Sequence, residues 1–216
     1  MKQSHFRYPV FLDLQHKPVV VIGAGLVGCR KIQSLLEAGA EVTVYEPNPS
    51  VGLQELLQKS PQQLHWQSTF YVDQDLSGFF MIIAATNNPS LQESLAATAQ
   101  KMKCLFNVID NPTLGNFIVP SVYRQGDLQL AITTGGEAPA FSKYLRQKLE
   151  REWGTEYDAL LVQLSAFREK INKIATPALQ KQIWQQIFDL DPLTLVKTGQ
   201  SDWVEKVEQW ISSATA

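Results

Sequence analysis

The apolar run Val19-Val20-Val21-Ile22 leads directly into Gly23-Ala24-Gly25-Leu26-Val27-Gly28, and no other stretch constrains the fold as strongly. A buried strand that ends in G-x-G-x-x-G and passes into a helical pattern is the opening of a βαβ dinucleotide-binding unit. Each glycine has its own task. Gly23 turns the chain sharply off the strand, Gly25 lets a pyrophosphate approach the backbone, and Gly28 lets the helix pack close to the strand. The helix start at Leu26 and Val27 offers unpaired N–H groups and the positive end of its dipole to the phosphates. Eighteen residues after Gly28, Glu46 follows a second apolar run, Val42-Thr43-Val44-Tyr45. A carboxylate there accepts hydrogen bonds from the adenosine ribose and repels a 2′-phosphate, so the expected cofactor is NAD rather than NADP.

The first half of the chain alternates strand and helix. Strands are expected at Val19–Ile22, Val42–Tyr45, Leu64–Trp66, Phe79–Ala85 and Leu105–Ile109, with an edge strand at Phe11–Leu14. Between them, Ile32, Leu35 and Leu36 mark one helix, stopped at Gly39. Leu53, Leu56 and Leu57 mark another, and Leu91, Leu95, Ala99 and Met102 a third that starts at Pro89. This alternation predicts a Rossmann-like, doubly wound parallel sheet of the α/β class. After Asp110-Asn111-Pro112 the pattern changes. Phe117–Pro120 and Leu128–Thr133 read as strands turning at Gly126-Asp127. The loop Thr134–Pro139 then opens a long helix to about Trp153, and the remainder reads as helices. The expected division is a dinucleotide-binding domain over 1–113, a small α+β region over 114–150 and a helical domain over 151–216.

A net charge of −2 argues against a chain that coats nucleic acid or an anionic membrane. No apolar run is long enough to span a bilayer, and Met1–Tyr8 lacks the apolar core of a signal peptide, so a cytoplasmic protein is expected. Cys29 and Cys104 are too far apart for a local metal site, and His5, His16 and His65 have no ligand spacing, so no metal centre is expected. Cys29 reads as a small residue filling a tight turn.

Candidates for chemistry sit where the strands of the sheet end, because open α/β folds bind ligands there. Thr86 ends the fourth strand and could bond a cofactor or merely terminate the strand. Asp110 ends the fifth. Partial burial there would raise its pKa towards that of a useful base, whereas the alternative is an aspartate that caps the turn before Pro112. Gly135-Gly136 could cradle an anion or form an ordinary turn. Arg124, Lys143 and Arg146, with Lys148, could form a cationic rim for a polycarboxylate or a solvated helix face.

Taken in order, Tyr8–Leu14, Gly23–Lys31, Leu36–Ala40, Ala84–Thr86, Asn107–Asp110 and Thr134–Pro139 resemble the precorrin-2 dehydrogenase/sirohydrochlorin ferrochelatase family, also found as the N-terminal part of siroheme synthases. The resemblance covers about residues 6–150 and continues through Lys181–Phe188. It implies NAD-dependent oxidation of precorrin-2 to sirohydrochlorin, with ferrous iron as a further substrate in some members. It also implies a homodimer interwoven at about 114–150. By the same resemblance Asp110 is the catalytic aspartate, Asn107 belongs to the substrate-side strand end, Gly23 to Gly28 form the cofactor loop, and Glu46, Pro47 and Asn48 the cofactor segment after the second strand. Asn87 and Asn88 stand where the family often has acids, Ala138 where it often has serine, and Gly28 where it often has alanine. The reading of another class is a non-catalytic NAD-sensing module that binds a protein partner through its helical tail. The Asn107–Asp110 strand end and the Gly135-Gly136 loop count against it, since a sensor needs neither.

Overall fold

The structure is a computed structural model and describes residues 7–215. The described residues form two compact units, one of residues 8–119 and one of residues 120–215 together with Arg7. The first is a five-stranded parallel sheet in the order β3-β2-β1-β4-β5. Its elements are β1 (Pro18–Ile22), α1 (Leu26–Glu37), β2 (Glu41–Tyr45), α2 (Val51–Lys59), β3 (Leu64–Gln67), β4 (Met81–Ala84), α3 (Pro89–Met102) and β5 (Leu105–Val108). β1 is paired on both sides, with Val20 opposite Thr43 and Ile82.

Burial on both faces explains the unbroken apolar runs. Val19 and Val21 pack with Ile32, Leu35 and Leu36 of α1 and Leu53 of α2. Val20 and Ile22 face the other way and pack with Leu95 and Ala99 of α3. The helices start and stop for local reasons. Ser50 Oγ accepts from the Leu53 N–H at the head of α2, and Asn88 Oδ1 accepts from Leu91 N–H ahead of Pro89 in α3. Gly39, at φ 81°, ends α1. The strand order reverses between β1 and β4, which puts the sheet's switch point at the glycine loop.

Three sequence expectations need correction here. Phe11–Leu14 pairs with no strand among the described residues. Only Leu14 is buried, while Tyr8, Val10, Phe11 and Leu12 are exposed, and the Asp13 carboxylate accepts from Gln15 N–H to start a turn. The run Phe79–Ala85 contributes only Met81–Ala84 to the ladder. Phe117–Pro120 is irregular chain rather than strand. The hairpin strand lies just beyond it, because the two-residue Gly126-Asp127 turn fixes the register from Gln125↔Leu128 to Ser121↔Ile132.

The second unit begins with that antiparallel hairpin, β6 (Ser121–Gln125) and β7 (Leu128–Ile132), followed by α4 (Pro139–Glu152). Tyr123 anchors it: the side chain is buried, its hydroxyl donates to the Trp153 carbonyl at 3.0 Å, and the two rings meet edge to face. Helices α5 (Glu156–Ile171), α6 (Pro177–Asp189), α7 (Pro192–Lys197) and α8 (Asp202–Thr215) surround a core of Phe167, Ile171, Ile183, Ile187, Trp203, Val207 and Ile211.

Candidate dinucleotide site

At the carboxyl end of β1 the three glycines meet three different surroundings. Gly23 has φ 93°, and a Cβ there would lie 2.6 Å from the Ala85 carbonyl oxygen. A Cβ on Gly28 would lie 2.6 Å from the Gly23 carbonyl oxygen and 3.3 Å from the Ala85 side chain. At both positions a side chain would press on backbone, which would have to shift to admit it. Gly25 caps α1 with extended backbone and has open space where its Cβ would point. That space lies at the helix N-terminus, where the first turn carries no acidic residue and Leu26 and Val27 are exposed. An anion there meets free N–H groups and the positive end of the helix dipole.

Glu46, just past β2, faces this loop. Its Oε2 accepts from the Ala24 N–H at 2.9 Å and its Oε1 from the Asn48 N–H at 3.2 Å. The Trp66 indole donates to the Glu46 carbonyl at 2.7 Å and holds the strand end in place. The Ala24 carbonyl is also engaged, by Cys29 Sγ at 3.1 Å and Ser50 Oγ at 3.4 Å. Cys29 lies in the first turn of α1 rather than in the glycine turn, and its thiol bonds back to that turn. The carboxylate thus braces the glycine loop, a role beyond the ribose contact expected of it. Sequence reading misses this second role, along with those of Trp66 and Ser50, because the partners lie about twenty residues apart.

A cavity of about 280 Å³ runs beside the loop, lined by Gly23, Gly25, Glu46, Pro47, Thr86 and Phe70 among others. A larger one, about 350 Å³, lies between α1 and α2 and includes none of the glycines of the loop. Thr86 is fixed on both sides: its Oγ1 accepts from Asn88 N–H at 3.2 Å, and its carbonyl accepts from the buried Gln92 amide at 2.6 Å. Gln92 carries no sequence signal beyond a polar residue inside an amphipathic helix.

The ends of β1, β4 and β5 are level, since Ala85 N–H donates to the Ile22 carbonyl and Ile109 N–H to the Ala84 carbonyl. Asp110 thus stands two strand spacings, roughly 10 Å, from the β1 end. The partial burial expected of it is not found. Asp110 lies beyond the last ladder residue and is exposed. Nor does its side chain cap the turn. Asn111 does that, accepting from Thr113 Oγ1 on its side chain and from Leu114 N–H on its carbonyl.

Asn107 is 5% exposed and donates from Nδ2 to the Phe117 carbonyl at 3.0 Å. It is spent on holding the following segment against the sheet. Asn116 works alongside it, accepting from the Phe106 N–H and donating to the Cys104 carbonyl, so that a side-chain amide covers the edge of β5. A Cβ on Gly115 would lie 2.8 Å from the Phe106 carbonyl oxygen, which is how closely this segment approaches.

In the second unit, the Gly135-Gly136 loop has both glycines at positive φ, 68° and 94°. Most of its N–H groups are already engaged: Gly135 donates to Thr133 Oγ1, Glu137 to the Thr134 carbonyl and Ala138 to Thr134 Oγ1. That leaves Gly136 with little help as an anion cradle. Arg124 donates from Nε to the Gly126 carbonyl across its own hairpin turn, Arg146 pairs with Glu150, Lys148 pairs with Glu152, and Lys143 is exposed. Among the described residues, no group of three or more His, Cys, Asp or Glu side chains could hold a metal ion, and no helix is long and apolar enough to cross a membrane.

Comparison with known proteins adds to this geometry. Residues 10–121 match the family described as "Putative NAD(P)-binding", and residues 125–152 match "Sirohaem biosynthesis protein central". The chain is 33% identical over 202 residues to "Siroheme synthase 1" of Klebsiella pneumoniae, covering 93% of this chain and 42% of the relative. It is 32% identical over 198 residues to "Siroheme synthase" of Psychromonas ingrahamii, covering 90% and 41%. The chain therefore spans about two fifths of the length of these curated relatives. Among solved structures it is similar to "SirC, precorrin-2 dehydrogenase", with a TM-score of 0.72 and 27% identity over 96% of this chain and 100% of that one.

Proposed function

The chain belongs to the NAD(P)-binding family that includes SirC and the N-terminal region of siroheme synthases, and on that premise we propose that it oxidises precorrin-2 to sirohydrochlorin with NAD. The observation that carries this reading is the full-length likeness to SirC. The residues present fit the cofactor: the open side of Gly25 and the bare first turn of α1 suit the pyrophosphate, and Glu46 suits the ribose. The negative charge of Glu46 favours a free 2′-hydroxyl over a 2′-phosphate, hence NAD. Leu26 and Val27 present the first-turn N–H groups, Pro47 and Asn48 shape the ribose side, and Thr86 lines the rim where β4 ends.

When bound, NAD supplies the hydride acceptor. Asp110 accepts the proton that leaves the tetrapyrrole, from a carboxylate that no protein donor occupies among the described residues. Its level position with the β1 end supports this role. The substrate's carboxylates call for cations, and Arg124, Lys143 and Arg146 are the basic residues proposed to meet them, with Gly135 and Gly136 leaving room for close approach. Asn107 acts by fixing the strand end that carries Asp110.

We read residues 1–113 as the NAD-binding domain, 114–150 as a dimerisation region and 151–216 as the C-terminal helical domain of a homodimer. The exposed Val122 on the hairpin and the exposed, stacked Phe141 and Tyr144 on α4 support a partner surface there. The test is anaerobic incubation of the protein with precorrin-2 and NAD, followed by absorbance, then addition of ferrous iron. The expected result is sirohydrochlorin formed with one NADH per substrate. Siroheme after the iron step would extend the proposal to iron insertion. No sirohydrochlorin at all would defeat the reading.

A further inference from the structure

We propose that Phe70 is the adenine-stacking residue of the dinucleotide cavity, and so contributes to the affinity for the adenine half of the cofactor. The inference rests on the dinucleotide reading above and deepens it. The glycine loop takes the pyrophosphate and Glu46 the ribose, and the other polar lining residues, Thr86 and Asn87, stand together just past the end of β4. The part of the lining left for the base is apolar and aromatic, made by Phe70, Tyr45, Tyr71 and Leu91. Of these, Phe70 is the one that stands in solvent, 70% exposed. It lies in the connection from β3 to β4, in the short sequence Thr69-Phe70-Tyr71-Val72.

The connection is braced rather than loose. Tyr71 is buried, meets Tyr45 edge to face at 5.5 Å, and donates from its hydroxyl to the Gln74 carbonyl at 2.8 Å. Gln74 Oε1 accepts from Val72 N–H at 2.6 Å. Phe70 is therefore presented from a fixed backbone, with its neighbour's ring anchored in the core. A flat heteroaromatic base that covers this ring removes apolar surface from water and gains stacking, at little cost in ordering.

The test compares the whole chain with Phe70→Ala and Phe70→Trp, titrated with NAD, with nicotinamide mononucleotide, which lacks the adenine half, and with AMP. Phe70→Ala is expected to weaken NAD and AMP about tenfold, in line with base–aromatic stacking elsewhere, and to leave the mononucleotide unchanged. Phe70→Trp is expected to retain NAD binding, with emission from the added indole quenched by AMP. Val72→Ala, at a residue 69% exposed on the same connection but outside the cavity lining, is the control and leaves all three ligands unaffected. Wild-type affinity for NAD in Phe70→Ala overturns the proposal, and so does an equal loss for NAD and the mononucleotide, which would mark a general structural effect. Failure of the wild-type chain to bind NAD or NADP overturns the dinucleotide reading itself, and with it this inference.

Discussion

The Glu46 carboxylate accepts a hydrogen bond from the backbone N–H of Ala24 at 2.9 Å, so the acid proposed to meet the ribose also holds the glycine loop in shape. Hydrogen bonds to a charged group contribute about 1.5–3 kcal/mol each. Glu46→Ala removes this bond and the one from Asn48 N–H. Its expected effect is a loss of NAD affinity of about tenfold or more, with NADP weakened less because the charge that repels its phosphate is gone. Calorimetric titration of both cofactors checks this. Equal losses for the two would remove Glu46 as the discriminating residue.

The glycines separate stability from binding. Gly28→Ala places a Cβ 2.6 Å from the backbone oxygen of Gly23, which cannot move aside without opening the turn. Overpacking of this kind costs about 1–3 kcal/mol, and the expected result is a Tm lower by several degrees. Gly25→Ala meets nothing within 4 Å, so its Tm should match the wild type. Its methyl group instead occupies the approach to the backbone, and NAD affinity falls. Thermal melts and NAD titrations of the two variants should therefore give opposite patterns.

Asn107 is expected to reveal itself as a positioning residue. Asn107→Ala leaves the Phe117 carbonyl without its partner and opens space beneath the segment that follows β5. A lost buried hydrogen bond costs about 1–3 kcal/mol. Denaturant unfolding should show that loss, with NAD affinity kept.

These residues also mark how far the sequence could be read. The five strands were legible because β1 and β4 are buried on both faces and so consist almost wholly of apolar residues. The glycine loop was legible because it follows a buried strand directly and because the positive φ and close backbone contacts at Gly23 favour glycine there. Phe117–Pro120 misled because an apolar run does not report pairing: Phe117 packs on the core and is held by Asn107, Val119 is exposed, and the ladder begins after Pro120. The brace between Glu46 and Ala24 could not be read from local pattern, since it joins residues from different strand ends. Phe70 escaped notice because an aromatic residue in a chain is first read as core, and this one is exposed. Asp110 was placed correctly at the end of β5, but its exposure depends on where the chain leaves the sheet edge, which pattern alone does not fix.

Lys31 links stability to pH. It is half-buried on α1 without a carboxylate at ion-pairing distance among the described residues, and this burial lowers its pKa below the usual lysine value. The folded chain then holds the Lys31 proton less tightly than the unfolded chain. The charged amine costs stability at neutral pH, and that cost shrinks as pH rises through the lowered value towards the ordinary value of 10.5. Lys31→Met is expected to melt at a higher temperature than the wild type at neutral pH, with the difference narrowing in alkaline buffer. Equal melting temperatures at neutral pH would count against a desolvated charge at this position.

Hydride acceptance and proton acceptance are proposed to meet at one edge of the sheet, with Asp110 as the base. The most direct measurement follows NADH formation from precorrin-2 and NAD under anaerobic conditions for the wild-type chain and Asp110→Ala, with the NAD dissociation constant determined for both. The account predicts turnover by the wild type, a loss of at least about a hundredfold in Asp110→Ala as general base catalysis is removed, and the same NAD affinity in each. Turnover by Asp110→Ala at the wild-type rate would contradict it.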